Sequence, residues 1–367
     1  MINKILGVFL GLSCFLGQAQ EEMTPKKYDL DFNYFYGNIV EHNKDIGHLI
    51  TSHPQGFIFS YNQKTFGEKE WQRHFNFPDL GASMIYQDMA NPNLGDHIGI
   101  YAHYNFYFLN RYVLLRVGQG VSYNTNPYDP DANYENIAYG THLLASTYLL
   151  LNFSKKNLFK GFGVQGGINL IHYSNGNFKA PNTSTNTFSI NLGLNYQLDH
   201  DEEFHYQTER SITNYSEPIH LNFTLKGGVQ TSDVIGMDQF PFYILGTYLD
   251  KRVSYKSSVH LGSEVFLSPM LEELIYYRSI AYPEDGLQGD ESSTRVGVFA
   301  GYQLHLGKTS IFGNLGYYVY YPYDFEGRTY LRAGIQRDLF KNFFGSLSVK
   351  SHAAKAEAME FGIGYRL

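Results

Sequence analysis

Three side chains in one short stretch have the types and spacing of an ester-hydrolysing centre. His172 and Ser174 are two residues apart, so on a β-strand they share a face and lie within hydrogen-bonding reach. A serine hydroxyl is a weak nucleophile until a neighbouring base removes its proton, and His172 is such a base. Asn186, in the same alternating register of the next segment, is placed to hold the tautomer of His172. The pattern predicts a His-Ser-Asn constellation for acyl transfer.

The residues after Ser174 supply hydrogen-bond donors for such a reaction. Asn175 is adjacent to the nucleophile and can donate to an oxyanion, helped by the backbone N–H groups around Gly176 and Asn177. A plainer interpretation is also open, because Asn-Gly is a strong turn signal and the segment can simply be a turn at a strand end. The two interpretations differ in whether Ser174 reacts.

The segments that carry these residues alternate with a period of two, as β-strands do. In residues 161–170 and 188–197 the even positions are mostly apolar, and the odd ones are Gly, Ser, Asn or Gln. A soluble sandwich also alternates, but its exposed face is normally richer in Lys and Glu. Small, uncharged polar residues suit a crowded barrel interior, so the pattern predicts an all-β, antiparallel transmembrane barrel. His172, Ser174 and Asn186 fall in the apolar register and therefore on its lipid-facing side.

The connections between segments alternate between short and long, as in outer-membrane barrels. The long ones are residues 124–136, 269–292 and 321–327. The short ones are polar: Asn110-Arg111, Lys155-Lys156-Asn157, Asp250-Lys251-Arg252, Gly307-Lys308 and Lys341-Asn342. We count about sixteen segments, an even number as expected for such barrels. They form either two eight-stranded barrels in tandem or one wide barrel.

Four regions follow from these patterns. Residues 1–20 have the Lys4 charge, apolar stretch and small-residue cleavage site of a secretory signal. Residues 21–198 form the half with the candidate site, 199–216 a polar linker and 217–367 the second half. The only cysteine lies in the signal segment, and the formal net charge is -7, which argues against a nucleic-acid partner. The protein is expected in the outer membrane.

The stretch around the candidate site resembles a known family. It contains His172-Tyr173-Ser174-Asn175, followed by Lys179 and Pro181-Asn182, and is similar to the catalytic hairpin of the outer-membrane lipid A 3-O-deacylases, or acyloxyacyl hydrolases. The resemblance covers residues 28–198 and implies an eight-stranded barrel with the pair on its penultimate strand. It also implies that His172 is the base, Ser174 the nucleophile and Asn175 part of the oxyanion hole. The implied substrate is lipid A within lipopolysaccharide, with no cofactor.

One position departs from that family. Its acidic orienting residue falls where this sequence has Asn186. An Asn in this role instead resembles outer-membrane phospholipase A, which acts on glycerophospholipids and needs calcium. That family's calcium site relies on an Arg shortly after the motif, where this chain has Asn177 and Phe178. The deacylase resemblance therefore ranks first, with phospholipase A as the alternative.

The second half shows no comparable site. His352 is followed by Ala353-Ala354 and has no Ser two positions later, so residues 217–367 are predicted to be catalytically silent. A different class also fits the barrel pattern, namely a non-enzymatic channel or adhesion barrel in which His172 and Ser174 are structural. The assembly state stays open, with a homodimer as one option.

Overall fold

The computed structural model describes residues 26–41, 44–210, 215, 217–353 and 355–367. The predicted signal segment lies outside these residues. Within them the chain forms sixteen β-strands and two α-helices. None of the described helices is long and apolar enough to cross a membrane.

The first eight strands form one closed antiparallel barrel. They are β1 (Tyr28–Ile39), β2 (Gln55–Gln63), β3 (Asp79–Asp88), β4 (Asp96–Phe108), β5 (Val113–Asn124), β6 (Leu143–Phe159), β7 (Phe162–Ser174) and β8 (Thr185–Gln197). Each strand pairs with its neighbour in sequence, and β1 also pairs with β8, for example Phe35 opposite Asn191. This last pairing leaves no free sheet edge in the first barrel.

The remaining strands close on themselves in the same way. They are β9 (Ile219–Gln230), β10 (Phe240–Arg252), β11 (Ser257–Leu267), β12 (Arg295–Leu306), β13 (Thr309–Tyr320), β14 (Thr329–Asp338), β15 (Phe343–His352) and β16 (Lys355–Arg366). β9 pairs with β16, with Leu225 opposite Ile363. The predicted sixteen-stranded, all-β fold is confirmed, and of its two alternatives the structure shows two barrels rather than a single wide one.

The outward face of the first barrel is apolar. On β8 the side chains of Phe188, Ile190 and Leu192 are 44%, 66% and 73% exposed, whereas the alternating Ser189 and Asn191 are buried. A soluble sandwich buries its apolar face, but a barrel in lipid exposes it. The alternation read from the sequence therefore has the orientation expected for a membrane barrel.

Paired charges and amides fill the two barrel interiors. In the first, Arg116 is fully buried and bonds to Asp31 at 2.6 Å and to Asn105 at 2.6 Å. In the second, Arg332 bonds to Glu264 and to Glu360, each at 2.6 Å. An eight-stranded barrel encloses a space just wide enough for side chains, so these paired residues form the packed interior of each barrel.

The two ends of the first barrel differ. At the terminus end, where β1 begins and β8 ends, short turns join β4 to β5 and β6 to β7, and residues 64–78 form a longer connection from β2 to β3. At the opposite end, named here the loop end, four longer connections lie together: residues 40–54, 89–95, 125–142 and 175–184. His172 is the third residue from the end of β7, and Ser174 is its last residue. Both therefore lie at the loop end.

Three predicted connections differ in detail. Residues 155–157 lie inside β6, and the chain reverses at Lys160 and Gly161, which adopt positive φ angles of 45° and 88°. Residues 250–252 end β10, so the turn follows them. The predicted loop at residues 269–292 contains helix α2 (Pro269–Ala281), because a proline in the first turn precedes a run of strong helix formers. Helix α1 (Glu70–His74) lies in the connection from β2 to β3.

Candidate active site

The centre of the candidate site is a side-chain contact between two paired strands. His172 on β7 lies directly opposite Asn186 on β8. The Nδ1 atom of His172 is 2.8 Å from the Oδ1 atom of Asn186. Because an amide oxygen only accepts, Nδ1 carries the proton in this contact and a neutral His172 presents Nε2 as a proton acceptor. This is the tautomer that a general base requires.

Ser174 ends β7 and is held by the turn that follows it. Ser174 is in the same alternating register as His172, but it is only 5% exposed and not open to lipid as predicted, because residues of the following loop contact its hydroxyl. The backbone N–H of Gly176 donates to Ser174 Oγ at 3.0 Å. The amide group of Asn182 contacts the same oxygen, with Nδ2 at 3.1 Å and Oδ1 at 3.2 Å. The hydroxyl is therefore held by residues of the loop that follows β7.

The three predicted oxyanion-hole residues have different surroundings. Asn175 donates its backbone N–H to Asn182 Oδ1 at 2.9 Å and its amide to the Lys179 carbonyl at 2.6 Å. Gly176 directs its N–H at Ser174 Oγ. Asn177 points its side chain away, toward the second barrel. Of the three, the described contacts bring only Gly176 directly onto the Ser174 hydroxyl.

Asn182 contacts the site more closely than its position in the sequence indicated. It lies eight residues after Ser174, within the Pro-Asn pair, and the sequence assigned it no role. In the structure its amide joins Ser174 Oγ to the backbone of Asn175. The Pro-Asn dipeptide was the available signal, but only the path of the loop returns this amide to the end of β7.

A second pair of polar residues extends the site across the outer face of the barrel. Four paired positions form a row across β5 to β8. Gln119 on β5 lies opposite Thr147 on β6. Thr147 in turn lies opposite His172, whose other neighbour is Asn186. The Thr147 hydroxyl donates to Gln119 Oε1 at 2.6 Å. This polar row crosses four strands whose outward positions are otherwise largely apolar. Sequence reasoning missed Gln119 and Thr147, although both are polar interruptions in the outward register of their strands.

Inward-facing residues support the same strand ends. Tyr173, between His172 and Ser174, is buried, stacks on His97 with ring centroids 4.0 Å apart, and donates to Gln87 at 3.1 Å. Tyr139, in the loop before β6, hydrogen-bonds Thr185 at the start of β8. Burial raises the pKa of Tyr139, so its phenol stays neutral at physiological pH. These contacts restrain the backbone on both sides of the His172–Asn186 pair.

Among the residues that the structure describes, no group of three or more His, Cys, Asp or Glu side chains is placed to hold a metal ion. In the second barrel, the side chain of His352 bonds to the carboxylate of Glu357 at 2.6 Å inside the lumen. Ser174, the serine of the candidate site, is in the other barrel and far away along the chain. The predicted catalytic silence of that half stays a prediction.

Two family models match the chain. Residues 55–195, which include the candidate site, match the model described as lipid A 3-O-deacylase (PagL). Residues 219–367 match the model described as acyloxyacyl hydrolase, C-terminal domain. Together the two segments cover most of the chain, and the second includes the half in which the sequence alone showed no resemblance.

Solved structures similar to this chain include a porin. A triple mutant of the porin from Rhodopseudomonas blastica is 11% identical, with 94% of this chain and 100% of the porin covered and a TM-score of 0.19. The Acinetobacter baumannii protein OccAB3 is 12% identical over 94% of this chain and 100% of its own, with a TM-score of 0.22. No curated protein matches the chain.

Proposed function

The chain belongs to the lipid A 3-O-deacylase (PagL) and acyloxyacyl hydrolase family, and from this premise we propose that it removes an ester-linked acyl chain from lipid A. The proposed catalyst is a serine nucleophile in the first barrel, embedded in the outer membrane. The observation that supports this most directly is the contact between His172 and Asn186 beside Ser174, at the loop end of a lipid-type outer face. Polar groups on such a face are costly, so an oriented set there favours function.

The proposed reaction assigns one role each to His172, Ser174 and Gly176. His172 takes the proton of Ser174, and Ser174 Oγ attacks the ester carbonyl of the acyl chain. The oxyanion that forms accepts a hydrogen bond from the N–H of Gly176, which lies 3.0 Å from Ser174 Oγ. The bond between the acyl carbon and the sugar oxygen then breaks, and that oxygen takes the proton back from His172. Water, activated by the same base, hydrolyses the acyl-enzyme and releases a free fatty acid.

Asn175 and Asn186 have separate roles in this proposal. Asn186 holds the His172 ring by accepting from Nδ1–H, which makes Nε2 the nitrogen that accepts the Ser174 proton. The amide nitrogen of Asn175 carries two N–H groups, and with one of them bonded to the Lys179 carbonyl the second is the proposed oxyanion donor. Asn177 contributes through its position and not its side chain, which is bonded elsewhere.

The location of the site fits an acyl-ester substrate of a membrane. Lipid A has its acyl chains in the hydrocarbon layer and its sugars at the surface, so the ester bonds lie at the boundary. The polar row that includes Thr147 and His172 lies in the outer face, near the loop end of the strands. A nucleophile inside the filled lumen could not meet such a substrate.

The central experiment is mass spectrometry of lipid A after incubation with purified protein. Wild type should release one ester-linked fatty acid, and Ser174→Ala should release none while still migrating as a heat-modifiable folded barrel. Release by Ser174→Ala equal to wild type would sink the proposal.

A second candidate, phospholipase A activity, is favoured by the amide at Asn186 in place of a carboxylate. Diacyl phospholipid and lipid A should be presented in parallel, each with calcium and with EDTA. Preferential, EDTA-resistant cleavage of lipid A supports the deacylase. Calcium-dependent cleavage of phospholipid supports the alternative.

A further inference from the structure

The turn that holds the nucleophile is also bonded to the second barrel. Asn177, 5% exposed, donates its amide to the carbonyl of Thr231 at 2.8 Å and to that of Glu357 at 3.3 Å. Its own carbonyl accepts from the N–H of Thr231 at 3.1 Å. One side chain thus bridges the first barrel to two separate segments of the second, namely the connection after β9 and the start of β16.

The neighbouring residues extend this contact. Gln239, an exposed residue of the second barrel, donates to the carbonyl of Phe178 at 2.6 Å. Gly176 has a φ of +63°, and a Cβ atom there would lie 3.2 Å from both Cβ and Cε of Met359 on β16. Glycine is favoured for both reasons, the left-handed backbone and the close approach. The residue that donates to Ser174 Oγ is therefore packed against the second barrel.

The receiving surface is itself firmly held. The backbone carbonyl that accepts from Asn177 belongs to Glu357, whose carboxylate is buried in the lumen. It pairs with Arg295 at 2.6 Å, with Lys350 at 2.9 Å and with His352 at 2.6 Å. These buried ion pairs restrain the start of β16, because releasing any member would leave a buried charge unpaired.

We propose that the second barrel is a positioning element of the active site in the first. Through Asn177 it holds the turn after β7 so that the N–H of Gly176 stays on Ser174 Oγ. A barrel without a recognised triad then has a defined task, which is to preorganise the nucleophile and oxyanion donor of its neighbour. This inference rests on the proposed function, since it presupposes that Ser174 reacts.

The test is the full-length variant Asn177→Asp. Aspartate keeps the size of asparagine and its tolerance of a positive φ, here 61°, but it presents an oxygen to the two carbonyls in place of a donor. We expect kcat for lipid A deacylation to fall about 10- to 100-fold, with KM changed far less, because misplacing a reacting group costs rate and not binding. The matched control is Asn126→Asp, which removes a donor to the Pro92 carbonyl within the first barrel's own loops.

A second readout does not depend on the lipid. The probe is a long-chain alkyl fluorophosphonate. Its phosphorus bonds to Ser174 Oγ, fluoride leaves, and His172 takes the proton of the serine hydroxyl. The labelling rate should fall in Asn177→Asp in step with kcat and stay at the wild-type value in Asn126→Asp. Both variants are compared as heat-modifiable folded protein.

The exposed variant Gln239→Ala probes the interface from the other side with little risk to folding. It removes one bond to Phe178, so a smaller loss of rate, about threefold to tenfold, is expected. A wild type that neither deacylates nor labels overturns the proposed function itself. A reactive wild type whose Asn177→Asp and Gln239→Ala variants match Asn126→Asp overturns the positioning role alone.

Discussion

His172 and Asn186 meet as a directly paired couple on adjacent strands, with Nδ1 and Oδ1 2.8 Å apart. The pairing places the orienting group on a strand and not on a loop. Strands hold catalytic groups more precisely because their backbone is rigid. It also puts an amide where the lipid A deacylases named by the sequence resemblance carry an acid. An amide can hold the imidazole but cannot balance the positive charge that develops on it.

Asn186→Ala should lower kcat by about 10²- to 10⁴-fold, because His172 loses the acceptor that holds its tautomer and orientation. Asn186→Asp should retain most activity or raise it, since a carboxylate accepts the same hydrogen bond and stabilises the imidazolium. Steady-state rates of fatty-acid release from lipid A measure both. Near-normal turnover in Asn186→Ala would mean that another group orients His172.

Asn182→Ala should slow deacylation about 10- to 100-fold while leaving KM similar, because the amide fixes both Ser174 Oγ and the backbone of Asn175. The matched control is Asn93→Ala, whose side chain bonds only an exposed carboxylate at the same end of the barrel. Rates indistinguishable from that control would show that the Asn182 contact is not used in catalysis.

Arg332→Leu should destabilise the second barrel by about 3–5 kcal/mol, because two buried carboxylates, Glu264 and Glu360, lose their shared partner. Urea titration of the heat-modifiable band measures the change. Arg278→Ala is the control, since its pair with Asp285 is exposed and such pairs contribute about 1 kcal/mol or less. Equal midpoints for the two variants would contradict a structural role for the buried cluster.

The folded protein should not conduct ions across a planar bilayer. The interior of the first barrel is occupied by Arg116 with Asp31, and that of the second by Arg332 with its two carboxylates. Removing these side chains from the path would unpair buried charges. Stable single-channel steps from purified wild type, absent from a denatured control, would favour the channel hypothesis instead.

Much of the fold followed from local pattern. Alternation with a period of two is a property of neighbouring residues, so the strand class and the shared register of His172 and Asn186 could be predicted from the sequence. The burial of Ser174 could not, because it depends on the path of the loop after β7. Their spacing across one hairpin also predicted which side chains meet, and His172 does contact Asn186. The helix in the connection at residues 269–281 was missed because a loop was inferred from length and position alone.

The sequence by itself thus determined an alternating, lipid-type barrel wall and the common register of a candidate His-Ser-Asn set, because both depend on residues close together in the chain. The tertiary structure decided the rest. Closure into two barrels depends on which distant edges pair, here β1 with β8 and β9 with β16. The hydrogen bond between Asn182 and Ser174 depends on the path of the loop after β7. The contact of Asn177 with Glu357 joins residues 180 positions apart. Contacts of that separation are set by the packing of whole barrels, which no local pattern encodes.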